Sequence, residues 1–254
     1  MKATPKPTAL VTGGGRGIGA ATSRELAARG YRVTVNYFSD RQSADQVVKD
    51  IEADGGEAFA LQGDVRDPAQ AVELLRRTAV EGRLDVLVCN AAPHFTPTPV
   101  QTLAWDDFHA KLTGEMASVY TLTQQALAIM GAQGQGRIVY VSSAVAEGPS
   151  APGMTAHGTA KAALNTFARF VAHEAGPLGI NVNVVAPGFV RTEGSAGMSQ
   201  EFQRRLAEHT PLGRVAEPED VARAIAMLVG EEAGFVTGSI LTVDGGFGVT
   251  RMQA

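Results

Sequence analysis

Short β-rich runs alternate with longer helical stretches along the whole chain, and few architectures accept that order. The runs are 8–12, 32–37, 57–62, 84–90, 136–143, 180–187 and 239–244. Between them lie helical patterns such as AATSRELAAR (20–29), SADQVVKDIEA (43–53) and PAQAVELLRRTAV (68–80). Strands alternating with helices indicate βαβ units and a parallel sheet. Runs such as VLVC (86–89) are apolar throughout, as expected when helices cover both faces. No repeat, low-complexity tract or linker divides the 254 residues. The expectation is a single α/β domain over 1–254: a Rossmann-type, doubly wound parallel sheet of about seven strands with helices on both faces. The stretch 192–214, between the sixth and seventh runs, is longer than a crossover needs. It reads as a substrate lid or as an ordinary surface helix.

Charge and composition exclude several classes. The net charge is -4 and the 22 basic residues are dispersed, which is no footprint for nucleic acid. No apolar run approaches the ~20 residues of a membrane span. The N-terminal MKATPKPTALVTGGG lacks the apolar core of a secretory signal. Cys89 is the single cysteine, so no disulfide forms within the chain, and a reducing compartment fits. Its apolar setting favours a buried packing residue over a catalytic thiol. A cytoplasmic protein is expected, with no nucleic-acid or membrane partner. No His/Cys/Asp cluster has metal-ligand spacing, so no metal site is expected.

The first run leads into TGGGRGIGAA (12–21). Gly13, Gly17 and Gly19 let the backbone turn sharply and approach a pyrophosphate. The following helix offers free N–H groups and a positive dipole end. A glycine cluster alone is weak evidence; a strand before it and a helix after it supply the context of a dinucleotide site.

TGGGRGIG resembles the TGxxxGxG turn of the classical short-chain dehydrogenase/reductase family. Further likenesses follow in order: GDV (63–65), CNAA (89–92), VSS (141–143), INVNVVAPGFVRT (180–192) and VTGSILTVDGG (236–246). They extend over essentially the whole chain. The resemblance implies that Gly13, Gly15, Arg16, Gly17, Ile18 and Gly19 face the dinucleotide phosphates. It places Tyr37, Asp64, Val65 and Asn90 along the adenosine half. It places Lys161, Pro187, Gly188, Val190 and Thr192 along the nicotinamide half. In NAD-preferring relatives an acidic residue ends the second strand and binds the ribose 2′-OH. Tyr37 stands there instead, and Arg16 and Arg41 are placed to meet a 2′-phosphate. NADP(H) is therefore expected over NAD(H).

The same resemblance implies a reaction centre of Ser, Tyr and Lys, supported by an Asn on the preceding long helix. Ser143 matches the Ser, with Ser142 as the fallback, and Lys161 matches the Lys. Four residues before Lys161 stands His157, and none of the four tyrosines (Tyr31, Tyr37, Tyr120, Tyr140) precedes a lysine at that spacing. For the Asn position, anchoring on Phe108, Thr123 and Gln124 selects Glu115, whereas matching KLTG selects Lys111. Imidazole, with a reference pKa of about 6.5, carries a proton near or below neutral pH. A Glu115 carboxylate nearby is expected to hold it as imidazolium, against the pull of Lys161.

Three readings follow. The leading one is an NADPH-dependent reductase of a ketone or polyketide-like carbonyl, with His157 as the acid/base. The others are a non-redox isomerase, dehydratase or cyclase, and a redox-inactive cofactor-binding protein. AEGPSAPGM (146–154) reads as an uncharged pocket wall. His94 lies near the expected substrate mouth, while His109, His173 and His209 read as surface or packing residues. The resemblance also implies a homo-oligomer, tetramer or dimer, paired through the helices that carry Glu115 and Lys161.

Overall fold

A computed structural model describes residues 6–79, 82–148, 151–195 and 198–250. Its strands are β1 (Thr8–Val11), β2 (Arg32–Tyr37), β3 (Glu57–Gln62), β4 (Val86–Cys89), β5 (Gly136–Val141), β6 (Ile180–Pro187) and β7 (Ile240–Val243). They form one sheet in the order β3-β2-β1-β4-β5-β6-β7, parallel throughout. The order reverses between β1 and β4. The loops leaving those two strands therefore part to opposite sides and open a crevice, where ligands of such sheets bind.

The helices are α1 (Gly17–Ala28), α2 (Arg41–Ala53), α3 (Pro68–Thr78), α4 (Trp105–Gln133), α5 (Thr155–Ala175), α6 (Gln200–His209), α7 (Pro218–Val229) and α8 (Phe247–Thr250). Side chains alternate across each strand and so supply two core layers. Ala9, Val11, Val86, Val88 and Val139 pack under α1, α2 and α7 with Leu26, Ile51 and Ile225. Leu10, Leu87, Cys89, Ile138 and Tyr140 pack under α3, α4 and α5 with Leu75, Leu122 and Leu164. Burial pushes the Cys89 thiol well above its ordinary range, which keeps it an unreactive packing group.

Several strands are shorter than their apolar runs. β1 stops at Val11; the Thr12 N–H still reaches the Val88 carbonyl at 3.0 Å, while its hydroxyl accepts the N–H of Asn90 at 2.9 Å and of Ala91 at 3.0 Å and fixes the loop after β4. β4 starts at Val86, since the Leu84 N–H goes to the Gln133 side chain at 2.7 Å. α2 begins two residues ahead of its sequence pattern, capped by the Asp40 carboxylate on the Ser43 N–H at 3.0 Å. In the stretch 192–214, α6 has no buried residue, and it meets the body of the protein through Phe202 edge-on to Phe189. Among the described residues no helix is long and apolar enough to cross a membrane.

Candidate active site

The glycine turn closes over the end of β1 at the crevice. Gly13 and Gly17 take φ of +60° and +51°, a region costly for a residue with Cβ. A Cβ on Gly19 would run into the Gly13 carbonyl oxygen and lie 2.7 Å from Asn90 Nδ2. Only glycine permits this approach, and it leaves a shallow backbone cradle at the start of α1. No side chain caps α1, so its first-turn N–H groups face that cradle. These features fit a dinucleotide pyrophosphate. Thr192 covers the turn from the other side, its Cγ2 3.3 Å from where a Gly17 Cβ would stand.

The cradle is held from below by residues that the glycine motif does not announce. Asn36 accepts the Gly13 N–H at 3.3 Å and donates to the Gly63 carbonyl at 3.0 Å, tying the ends of β1 and β3. Asn90 donates to the Thr12 and Gly13 carbonyls at 2.9 and 3.2 Å. Ile18 packs against the first core layer and Val65 lies in the second, so their side chains support the turn and the end of β3. Gly15 sits against α2, where a Cβ would come 3.1 Å from the Ala44 nitrogen.

Among the residues expected along the adenosine half, Tyr37 is the last of β2 and is 8% exposed, packed in the core. Asp64 is bound by the Arg66 guanidinium at 2.8 Å, which holds its carboxyl below the usual range. That guanidinium also lies 5.4 Å from the ring centre of exposed Phe38. Arg66 was legible only as one of many dispersed charges. Arg16 is exposed and forms no ion pair among the described residues. Arg41, the second expected phosphate partner, is exposed and lies 3.2 Å from Asp45, an i,i+4 pair on α2.

In the segment expected to meet the nicotinamide half, Pro187 pairs with Val243 and the Gly188 N–H donates to the Val243 carbonyl at 3.0 Å. A Cβ on Gly188 would stand 2.7 Å from Asp244 Cβ, so this close passage also needs glycine. Val190 bridges to Ala216 and sets Thr192 over the turn.

The reaction-centre candidates come from β5, α4 and α5. Lys161, on α5, is 4% exposed and donates to Glu115 Oε1 at 2.6 Å and to the Val141 carbonyl at 2.8 Å. Glu115 Oε2 accepts from Lys111 at 2.7 Å. Both residues that competed for the Asn position thus lie in one buried chain, Lys111–Glu115–Lys161, and Glu115 is the member that touches Lys161. Burial pushes the Glu115 carboxyl up, but Lys161 and Lys111 outweigh it and hold the group below its ordinary value. Lys161 is drawn below its ordinary value by burial, with Glu115 opposing. The two ammonium groups account for the Glu115 direction, and burial for that of Lys161.

Of the two serines, Ser142 is buried, with its hydroxyl donated to the Lys161 carbonyl at 3.4 Å. Ser143 is only partly buried and accepts the Val145 N–H, which leaves its hydroxyl hydrogen for a ligand.

His157 stands one turn before Lys161. Its ring is stacked on Phe95, with centroids 4.5 Å apart and planes 5° apart. Nδ1 is buried without a partner. Burial first, then Lys161 and Lys111, lower the imidazole pKa to about 4, and Glu115 opposes them too weakly. This corrects the expectation that Glu115 holds an imidazolium: burial disfavours the charged ring, and both Glu115 oxygens are occupied by lysines. Phe95 comes from the segment after β4, which is tied to the segment after β5 by the Thr98 N–H on the Gly153 carbonyl at 3.1 Å. Residues 149 and 150 of the expected pocket wall lie outside the described residues. His94, His109, His173 and His209 are exposed, and His109 lies near Trp105. No group of three or more His, Cys, Asp or Glu that could hold a metal ion occurs among the described residues.

A switch-point crevice with a glycine-only cradle beside a buried lysine defines a dinucleotide-dependent oxidoreductase scaffold, and comparison with known proteins agrees. The family described as Enoyl-(Acyl carrier protein) reductase matches residues 13–248. A 3-oxoacyl-[acyl-carrier-protein] reductase of Synechocystis is 37% identical over 248 residues, covering 97% of this chain and 98% of its own. A short chain dehydrogenase from Burkholderia cenocepacia, solved in complex with NADP, superposes with a TM-score of 0.85 at 36% identity, over 95% of this chain and 97% of that one. A 7 alpha-hydroxysteroid dehydrogenase, solved with NADH and 7-oxo glycochenodeoxycholic acid, gives a TM-score of 0.88 at 31% identity, over 94% and 93% of the two chains. The chain belongs to the short-chain dehydrogenase/reductase family of oxidoreductases.

Proposed function

We propose that this protein is an NADPH-dependent carbonyl reductase in which His157 takes the place of the family's tyrosine. The observation that carries this reading is the juxtaposition of His157 with the buried Lys161–Glu115 pair, on helices that begin at the same edge of the sheet as the glycine turn. NADPH is preferred because β2 ends in Tyr37 without a carboxylate, while Arg16 at the start of α1 is exposed and forms no ion pair among the described residues, and exposed Arg41 follows shortly after β2. When bound, the cofactor supplies a hydride to the carbonyl carbon.

The protein's own residues act on the carbonyl oxygen. Ser143 donates its hydroxyl hydrogen to it. With an imidazole pKa of about 4, only about one ring in a thousand is protonated at pH 7, so His157 serves as a neutral imidazole. Its Nδ1 is buried and unpartnered, which favours the tautomer with the proton on Nε2. That N–H hydrogen-bonds the oxygen, and the Lys161 ammonium one turn away supplies positive charge against which the oxyanion develops. The alkoxide left by hydride transfer then takes its proton from solvent water, the imidazole staying neutral throughout. The non-redox alternative needs Glu115 to move protons beside His157, and the two lysines on its oxygens speak against that.

The test follows NADPH absorbance with a panel of ketones and 3-oxoacyl thioesters, the latter named for the Synechocystis relative. Wild type should consume NADPH with at least one of them. His157→Phe should lose on the order of a hundredfold or more in turnover while binding NADPH as before. NADPH binding without consumption on any carbonyl would end the redox reading. Wild-type turnover by His157→Phe would end the assignment of His157.

A further inference from the structure

Lys111 is 3% exposed, as buried as Lys161, yet nothing in the reading above puts it in contact with cofactor or substrate. Its ammonium reaches in three directions. It donates to Glu115 Oε2 at 2.7 Å and to the Pro93 carbonyl at 3.0 Å, and it lies 5.5 Å from the centre of the Phe95 ring. Phe95 in turn lies flat on His157, and the other oxygen of Glu115 holds Lys161. One side chain thus joins the lysine on the cofactor side to the histidine on the substrate side. Gly114 helps, since a Cβ there would stand 3.3 Å from Pro93 Cγ and crowd the segment that delivers Phe95.

Stability alone is a poor reason for this lysine. Two buried cations share one carboxylate, and a buried charge without a counter-charge is unfavourable, whereas an apolar residue of similar volume would leave Glu115 and Lys161 as a neutral pair. We propose that Lys111 is a positioning residue: it locks Phe95 against His157 and Glu115 against Lys161, so that the ring N–H and the ammonium keep a fixed relation to each other on α5. The proposal rests on the reading of His157 as the group that meets the carbonyl. The charged groups acting on His157 are Lys161 from α5 and Lys111 and Glu115 from α4. The segment after β4 contributes the uncharged Phe95, and Cys89 of β4 remains a thiol near Lys161.

The experiment is a pH titration of the His157 ring by NMR, with steady-state kinetics, on full-length wild type, Lys111→Met, Lys111→Arg and Phe95→Leu. Lys111→Met should raise the His157 midpoint, because one of two nearby cations is gone. It should lower kcat by about tenfold or more, since even ~1 Å of misplacement is costly, and change the NADPH Kd by no more than about twofold. Lys111→Arg keeps the charge and should return the midpoint toward that of wild type. Phe95→Leu should lower kcat with NADPH affinity retained. A wild-type midpoint in Lys111→Met would overturn the proposal. So would a moved midpoint with unchanged kcat, for then Lys111 contributes charge and no placement. If Lys111→Met does not fold, Phe95→Leu decides, and wild-type ring shifts and kcat in that variant overturn the proposal. Should no form, wild type included, reduce a carbonyl, the reductase reading fails while the titration still tells whether Lys111 governs His157.

Discussion

Two residues show how burial sets chemistry here. Glu115 is 1% exposed and remains an anion because two ammonium groups face it. Glu115→Gln would leave those two cations buried without a counter-charge, so a loss of about 3–5 kcal/mol is expected in urea unfolding at neutral pH. A loss below ~1 kcal/mol would show that the ion pairs matter little. His157 illustrates the opposite case, a base kept neutral. Its folded pKa of about 4 lies below the ordinary 6.5, so the unfolded chain binds the extra proton first as pH falls. The stability from this site is complete above about 6.5 and is lost as pH falls toward about 4, amounting to up to about 3 kcal/mol. Glu115, also held below its ordinary value, loses its contribution further down, as pH falls through its own folded value. His157→Phe should therefore flatten the stability–pH curve between roughly pH 6.5 and 4. A curve parallel to that of wild type would mean that the ring titrates normally.

At the scale of elements, the junction of β1 and α1 is the most local part of the site. Its glycines are needed by backbone geometry within seven residues, Gly13 to Gly19. Gly19→Ala should abolish NADPH binding by calorimetry, because the added methyl runs into the Gly13 carbonyl oxygen. Arg16→Ala, at the same helix start, should weaken NADPH more than NADH, and equal losses for the two would count against a 2′-phosphate contact. This junction was readable from the chain because neighbours in sequence make it. Asn36, Phe38 and Arg66 were not: their roles depend on β2 and β3 lying side by side. Arg41 shows a purely local partner, since its exposed charge is paired along its own helix with Asp45.

For the whole molecule, α4 and α5 each bury one face on the sheet while Trp105, Tyr120 and Phe170 remain 70%, 53% and 67% exposed. A homotetramer or homodimer paired through these helices is the expected state, and light scattering at micromolar concentration should show it. A monomer there would contradict the pairing.

The alternation of strand and helix, the sheet's parallel sense and the glycine turn are local or periodic properties, so the chain alone determines them. The same is true of the His157–Lys161 spacing, one turn apart on a single helix. What His157 is chemically was decided only by tertiary structure. Its pKa depends on burial under Phe95 and on Lys111, 62 and 46 residues away along the chain, and no period or spacing carries that distance. The anchors Phe108, Thr123 and Gln124 favoured Glu115 over Lys111, but that both residues share one site was not readable in sequence. Both lie on one face of α4, and packing against α5 brings them into the same buried chain with Lys161.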